Sequence, residues 1–331
     1  MDRDCVGEIS VSGMKNRLHG GQKGRTKQKI KIPIVFFIRA LLLMAVIFHI
    51  REINEELGRV QTALKKIEDP RYEVMEPGTE TPQEADYVSG IEIINVERPM
   101  ERTWAETMGR LDSLGQTNPA IEAIYQDRAL YPKSMLAALA NNPEMADYVA
   151  GYPQRDREAA GGLTESERTQ AYPLFLQWDP RWGYEPYGRD GYIGVTGCGP
   201  TCLAMALYYL NGDESLTPDK IAAYALKNGY YVEGTGTAWA LISEFPRTYG
   251  ITVTQPEIAE SDMKAELAQG NILICAMRKG DFTVAGHFIV LYGYDESGFF
   301  VNDPNCVARS RKKWSFGEIA GQIKSVWSLG R

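Results

Sequence analysis

The sequence predicts an α+β domain at residues 172–331, carried behind a single membrane-spanning helix and a helical spacer. Three observations predict it. Within the last 160 or so residues, helical apolar patterns come first and strand-like runs second, the order of an α+β domain rather than of alternating βαβ units. One apolar stretch, 32–50, has the length of a bilayer crossing. Between the two, Pro119, Pro132 and Pro143 cut residues 101–150 into short helical pieces.

Charge divides the chain before structure does. The 331 residues carry a net charge of −7, yet residues 1–31 hold eight Lys or Arg against three acidic residues, a net of +5 that leaves −12 for the remainder. A basic tail of this kind suits nucleic acid or a membrane surface. The apolar run that follows it decides for the membrane, and no nucleic-acid partner is expected. Thirteen of the residues in 32–50 are Ile, Leu, Val or Phe. On an insertion scale these contribute about −4 to −8 kcal/mol, against about +2.5 kcal/mol for Arg39, which can also snorkel toward the basic side. Basic residues ahead of the span put the N-terminus in the cytoplasm and the rest of the chain outside the cell, attached to the membrane in a single pass. No small-residue cleavage site follows, so the segment reads as a retained anchor.

After the span, Ile53, Leu57, Val60, Leu64 and Ile67 recur at heptad spacing, which predicts a juxtamembrane helix over 51–68 capable of weak self-association through 53–67. Residues 69–100 form an acidic linker rich in Pro, Glu, Asp and Thr, interrupted by a brief apolar patch at Ile91–Val96. The spacer, 101–160, is read as helices near Thr103–Leu114, Pro119–Arg128, Lys133–Ala140 and Pro143–Val149, with no chemistry of its own.

In the C-terminal domain, Pro200 suits the first position of a helix that runs through Leu203–Leu210 and stops at Asn211-Gly212. Thr217-Pro-Asp219 opens a second helix, closed by Asn228-Gly229, and a third covers about Thr237–Tyr249. Ser261 is expected to cap a helix that ends at Gly270. Strands follow at Ile272–Met277, His287–Tyr294 and Phe299–Asn302, the last two joined by the turn Asp295-Glu-Ser-Gly298. Ser315-Phe-Gly-Glu318 is a capping box, and Val326-Trp327 reads as a closing strand.

The chemistry centres on Thr196-Gly-Cys-Gly-Pro-Thr-Cys202. A cysteine at a helix N-terminus meets unpaired N–H groups and the positive end of the helix dipole, both of which favour a thiolate. Gly197 and Gly199 are expected to leave room for a substrate backbone. Cys198 is therefore the candidate nucleophile, and Cys202, one turn on, is expected to pack in the core. A nucleophilic cysteine needs a base and a group that orients the base. Of the three histidines, His19 and His49 belong to the tail and the membrane edge, which leaves His287. The hairpin after it returns Asn302-Asp303 alongside, and strand alternation lets only one of the two face His287. Asp303 is favoured as orienter, with Asn302 as runner-up. Gln177 is the candidate oxyanion donor beside the Cys198 N–H. Tyr184, Tyr187, Tyr192, Tyr230, Tyr231 and Trp239 read as packing aromatics or as groove walls. The five cysteines show no metal-ligand spacing, and nothing calls for a metal or organic cofactor.

Taken together, Gln177-Trp-Asp-Pro-Arg-Trp-Gly183, Gly197-Cys-Gly-Pro-Thr201, Gly286-His287 and Asn302-Asp-Pro304 resemble the bacteriocin-processing cysteine peptidases, family 39 of the cysteine class. The resemblance is to the branch common in cell-surface proteins of Gram-positive bacteria, and it covers about residues 172–331. It implies a papain-like fold, Cys198 as nucleophile, His287 as base, Asp303 as orienter, Gln177 as oxyanion donor, and a peptide or protein substrate, cell-wall peptides included. The Gln177–Cys198 interval is longer than in the transporter-linked members, and no Walker-type loop occurs, so their leader-peptide specificity does not carry over. A surface-binding module on the same fold, and acyl transfer or amidase action on peptidoglycan peptides, remain rival readings.

Overall fold

The computed structural model describes residues 94–155 and 158–331, together with Ile50 and Ile91. Apart from Ile50, the expected span, the heptad helix, the basic tail and most of the linker lie outside the described residues. Among the described residues no helix is long and apolar enough to cross a membrane.

The described chain opens with α1 (Trp104–Gly115), α2 (Pro119–Gln126), α3 (Lys133–Asn141) and α4 (Ala146–Gly151). Their ends follow from local chemistry. Thr103 and Glu106 form a reciprocal capping box at α1. The Asn118 side chain accepts from the Ala120 and Ile121 N–H groups at α2, with Pro119 in the first turn. The stretch expected as one helix from Pro143 divides into a 3-10 turn, Pro143–Met145, and α4.

Next come α5 (Glu165–Arg168), α6 (Ile193–Thr196), α7 (Cys198–Asn211) and α8 (Pro218–Lys227). A small hairpin, β1 (Tyr231–Val232) and β2 (Gly236–Thr237), leads to α9 (Trp239–Glu244), β3 (Thr252–Thr254) and α10 (Glu260–Ala268). The chain closes with β4 (Ile272–Arg278), β5 (Gly286–Asp295), β6 (Gly298–Asn302), α11 (Val307–Arg311), α12 (Phe316–Ile319) and β7 (Ile323–Gly330). The sheet order is β3-β7-β4-β5-β6, and every neighbouring pair is antiparallel. The α+β fold class stands.

Several local expectations change. Ser261 lies inside α10, whose N-cap is Ala259. The single helix expected over Thr237–Tyr249 is α9 followed by a 3-10 turn, because Pro246 lacks the N–H that would continue the ladder. The closing strand is longer than Val326-Trp327 and lies inside the sheet, between β3 and β4.

Both faces of the sheet are covered. Along β4, Ile272, Ile274 and Ala276 join the cluster around α7, while Leu273, Cys275 and Met277 join a second cluster with Met263 and Leu267 of α10. That is the period-2 alternation of a strand buried on two sides. Helix α7 is apolar nearly all round and buried accordingly, and Gly212 ends it in the left-handed region at φ 65°. The helices expected as a spacer share this core: Leu111, Ile124 and Leu139 belong to the same apolar cluster as Phe175, Trp182 and Leu203.

Candidate functional site

Cys198 is the first residue of α7 and is half-buried. The helix begins two residues earlier than expected, so Pro200 occupies its third position. This costs no hydrogen bond, since the first four N–H groups of any helix lack an intrahelical acceptor. The flanking glycines serve the chain's own packing. A Cβ on Gly197 would stand 2.6 Å from the Ile193 carbonyl oxygen, and one on Gly199 would stand 2.7 Å from Thr237. The expectation that they clear a path for a substrate backbone is replaced by this tighter requirement: α6 and β2 press directly against the cysteine turn.

His287 is the second residue of β5, paired across the ladder with Met277. Its Nε2 lies 2.7 Å from Asp303 Oδ1. With that nitrogen occupied, Nδ1 is the one left for the Cys198 thiol, which lines the same cleft. Burial disfavours the charged imidazole, but the Asp303 charge and hydrogen bond, helped by Cys198, outweigh it and lift the pKa to about 9.

Asp303 follows directly on β6 and is fully buried. Its Oδ1 also accepts the Asn305 N–H at 2.8 Å, and its Oδ2 accepts Arg309 Nε at 2.7 Å. Burial would raise this carboxyl, yet the charges and hydrogen bonds of Arg309 and His287 hold it at about 2. Asn302 turns the other way and donates to the carbonyls of Tyr172 and Pro173, so of the two candidates Asp303 is the one that meets His287.

Gln177 is buried, and its backbone N–H donates to Pro304 O at 2.7 Å, tying it to the Asp303 turn. The long insertion between Gln177 and Cys198 folds back through α6. Its Gly194 carbonyl takes one amide hydrogen of Gln177 at 3.2 Å. The second amide hydrogen remains available to a ligand, and Oε1 has no partner among the described residues.

Gln177, Cys198 and His287 line one cleft of about 790 Å³. Its apolar wall includes Tyr231, Trp239 and Phe282, and it is lined also by Pro99, ahead of the helical segment, and by Ala138 and Asn141 within it. Of the six aromatics singled out in the sequence, only Tyr231 and Trp239 line it. Tyr187 is buried against Thr237, and Tyr184 stacks on Tyr148. A smaller recess of about 430 Å³ between Trp104 and Arg128 contains none of these groups.

The four described cysteines are free thiols. Burial pushes the Cys202, Cys275 and Cys306 thiols upward, as expected for core cysteines. Sequence reasoning missed Arg309, which sits in Ala308-Arg-Ser-Arg-Lys-Lys313, a cationic run that reads as a solvated face. It also missed Asn142 and Glu144. Nothing local in the sequence distinguishes these from surface residues at a helix end.

Residues 169–329 match the model of the Peptidase_C39 like family. Among solved structures, the peptidase domain of Streptococcus ComA, a bi-functional ABC transporter involved in a quorum-sensing pathway, is 17% identical. That similarity covers 48% of this chain and 98% of the other, with a TM-score of 0.34. A putative C39-like peptidase from Bacillus anthracis is 14% identical over 48% of this chain and 94% of its own, with a TM-score of 0.30. No curated protein matches the chain.

Proposed function

We propose, from the match of residues 169–329 to the Peptidase_C39 like family, that the chain is a thiol peptidase held at the outer face of the cell membrane by the 32–50 segment. The observation that supports activity most is the buried 2.7 Å contact between His287 Nε2 and Asp303 Oδ1, with Cys198 lining the same cleft as the imidazole. A module that only binds has no need of a buried carboxylate–imidazole pair in the same cleft as a cysteine at a helix start.

In this reading the Cys198 thiol gives its proton to His287 Nδ1, and Sγ attacks the carbonyl carbon of a bound peptide. The developing oxyanion takes hydrogen bonds from the Cys198 N–H and the second amide hydrogen of Gln177. His287 then protonates the departing amine. Water, deprotonated by the same ring, attacks the thioester, releases a carboxylic acid and restores the thiol. Asp303 keeps the ring aimed and stabilises the imidazolium throughout.

The test is competitive alkylation followed by a peptide library. Iodoacetamide labels Cys198 ahead of Cys202, Cys275 and Cys306, whose thiols burial has raised, and the full chain releases peptides with new free carboxylates while Cys198→Ala does not. A new amide in place of the carboxylate makes the chain an acyl transferase. Peptide binding that survives Cys198→Ala, with no turnover by the unaltered chain, makes it a binding module.

A further inference from the structure

We propose that Arg309 is a positioning residue for the Cys198–His287–Asp303 site, and that Glu144, reaching in from the helical segment before the domain, positions Arg309. The inference rests on the thiol-peptidase reading and adds a working part to it. The helices at 104–151 then hold the orienting carboxylate in its active geometry.

The argument begins at the two oxygens of Asp303. Oδ1 serves His287 and the Asn305 N–H, whereas Oδ2 has Arg309 Nε at 2.7 Å. A fully buried carboxylate oxygen deprived of its donor takes up a proton or turns toward another one. Either change loosens the hold on His287, because the imidazolium is stabilised only while the carboxylate is charged and in line.

Arg309 itself is placed in an unusual way. It is 6% exposed, and both Nη1 and Nη2 are buried without a hydrogen-bond partner among the described residues. An arginine kept only for packing would spread its five donors over nearby carbonyls, since empty buried donors are costly. This one commits its single strong contact to Asp303. The position of its guanidinium therefore depends on that contact and on the backbone of α11.

Helix α11 has only five residues, too few to stand by itself. Glu144 supplies the missing constraint. Its Oε2 accepts the Val307 N–H at 2.8 Å and its Oε1 accepts the Ala308 N–H at 2.9 Å, so both carboxylate oxygens cap the first turn of α11. Asn142 joins the same seam, donating to the Asn305 carbonyl while accepting the Glu144 N–H at 3.1 Å. Ser310, next to Arg309, accepts the Asp303 N–H at 2.8 Å. A continuous run of buried contacts thus leads from 142–144 through α11 to the carboxylate that holds His287.

The experiment follows the pH dependence of Cys198 alkylation by iodoacetamide in the full chain, which needs no knowledge of the substrate. Arg309→Met, Arg309→Lys and Glu144→Gln are compared with the unaltered protein, each checked for a single thermal transition. Arg309→Met moves the acid limb of the profile upward by about one pH unit, the scale on which one neighbouring charge acts, and slows the reaction at pH 6 about tenfold. Arg309→Lys, which keeps the charge, recovers part of the shift. Glu144→Gln moves the limb in the same direction by less. Should Arg309→Met fail to fold, the other two variants decide on the same terms. Profiles that superimpose on the unaltered one, or that fall evenly at all pH values, overturn the proposal, since the second pattern is what a merely structural role produces. An unaltered chain whose Cys198 reacts no faster than a free model thiol defeats the peptidase reading instead.

Discussion

Replacing Asp303 by Asn removes one charge and introduces an amide where both carboxylate oxygens are already in use. The amide has two ways to sit. If its oxygen faces His287 and the Asn305 N–H, its NH2 group points at Arg309 Nε, donor against donor beside a buried cation. If its oxygen faces Arg309, the opposition moves to the neutral Asn305 N–H and the NH2 group donates to His287 Nε2. The second arrangement is favoured, because hydrogen bonds to charged groups contribute about 1.5–3 kcal/mol against about 1 kcal/mol for neutral ones. It forces Nε2 to be the acceptor and puts the ring proton on Nδ1, facing the sulfur, where it blocks acceptance of the thiol proton. Wrong-tautomer imidazoles of this kind lose about 10³–10⁴ in rate. Loss of the counter-charge to Arg309 also costs about 3 kcal/mol of stability, at the low end for a broken buried pair because the amide oxygen still accepts. The assay is Cys198 alkylation at pH 6, read beside ¹⁵N NMR of the imidazoles, of which the chain has only three to assign. Adding Arg309→Met removes the cation that dictates the amide orientation, so the double variant regains at least about tenfold over Asp303→Asn alone. Arg309→Met is thus harmful beside Asp and helpful beside Asn. An Asp303→Asn protein with unimpaired alkylation, or a double variant no better than the single, refutes the reasoning.

Stability depends on pH through the same pair. His287 has its folded pKa raised to about 9, so its contribution is complete below its ordinary value near 6.5 and is lost as pH rises through 9. Asp303 is depressed to about 2, so its contribution holds above its ordinary value near 3.8 and is lost as pH falls through 2. Urea midpoints are therefore lower at pH 9.5 than at pH 6.5, and His287→Gln flattens that alkaline decline. Gln177→Ala lowers kcat about 10²-fold with little change in KM, the mark of a donor used only in the transition state, read from steady-state kinetics on a library-derived peptide. Gly199→Ala drives a Cβ to 2.7 Å from three side-chain atoms of Thr237 and destabilises by about 1–3 kcal/mol in thermal melts. Thr237→Ala recovers part of that loss by removing two of the three atoms.

The parts of the site that the sequence reveals are those carried by short-range rules. A glycine-flanked cysteine before an apolar helix, a histidine at the start of a strand and an Asp-Pro after the returning strand are each legible because capping, alternation and turn chemistry act within a few residues. The choice between Asp303 and Asn302 is also local, since β6 alternation sends them to opposite sides. What stays hidden depends on contacts distant in sequence. Gly199 looks like a clearance for substrate until Thr237, far along the chain, is seen to fill the space. Arg309 is indistinguishable from its cationic neighbours until α11 folds over the Asp303 turn. Glu144 reads as a first-turn acid of its own short helix, yet it caps a helix 163 residues away. The position of β7 inside the sheet is lost for the same reason: strand order is set by pairing across the whole domain, which an apolar pattern at Val326-Trp327 cannot specify.

The helical segment also shows why the site and its supports fold as one body. Helices α1 to α4 have 12, 8, 9 and 6 residues, at or below the length at which an isolated helix holds together in water. Their order must come from burial, and Leu111, Ile121, Leu136 and Leu139 achieve it against a core shared with α7. Apolar packing alone leaves the register of such docking loosely defined, because similar side chains can exchange places at little cost. The buried polar seam removes that freedom. Asn142 and Glu144 are buried, and the Asn305 carbonyl and the two N–H groups of α11 satisfy them at this register. At any other, a buried carboxylate and two helix N–H groups go unpaired together. The polar contacts that fix the seating of the helices are thus the contacts that fix α11. A helical segment seated out of register would leave Asp303, and with it His287, without a defined position.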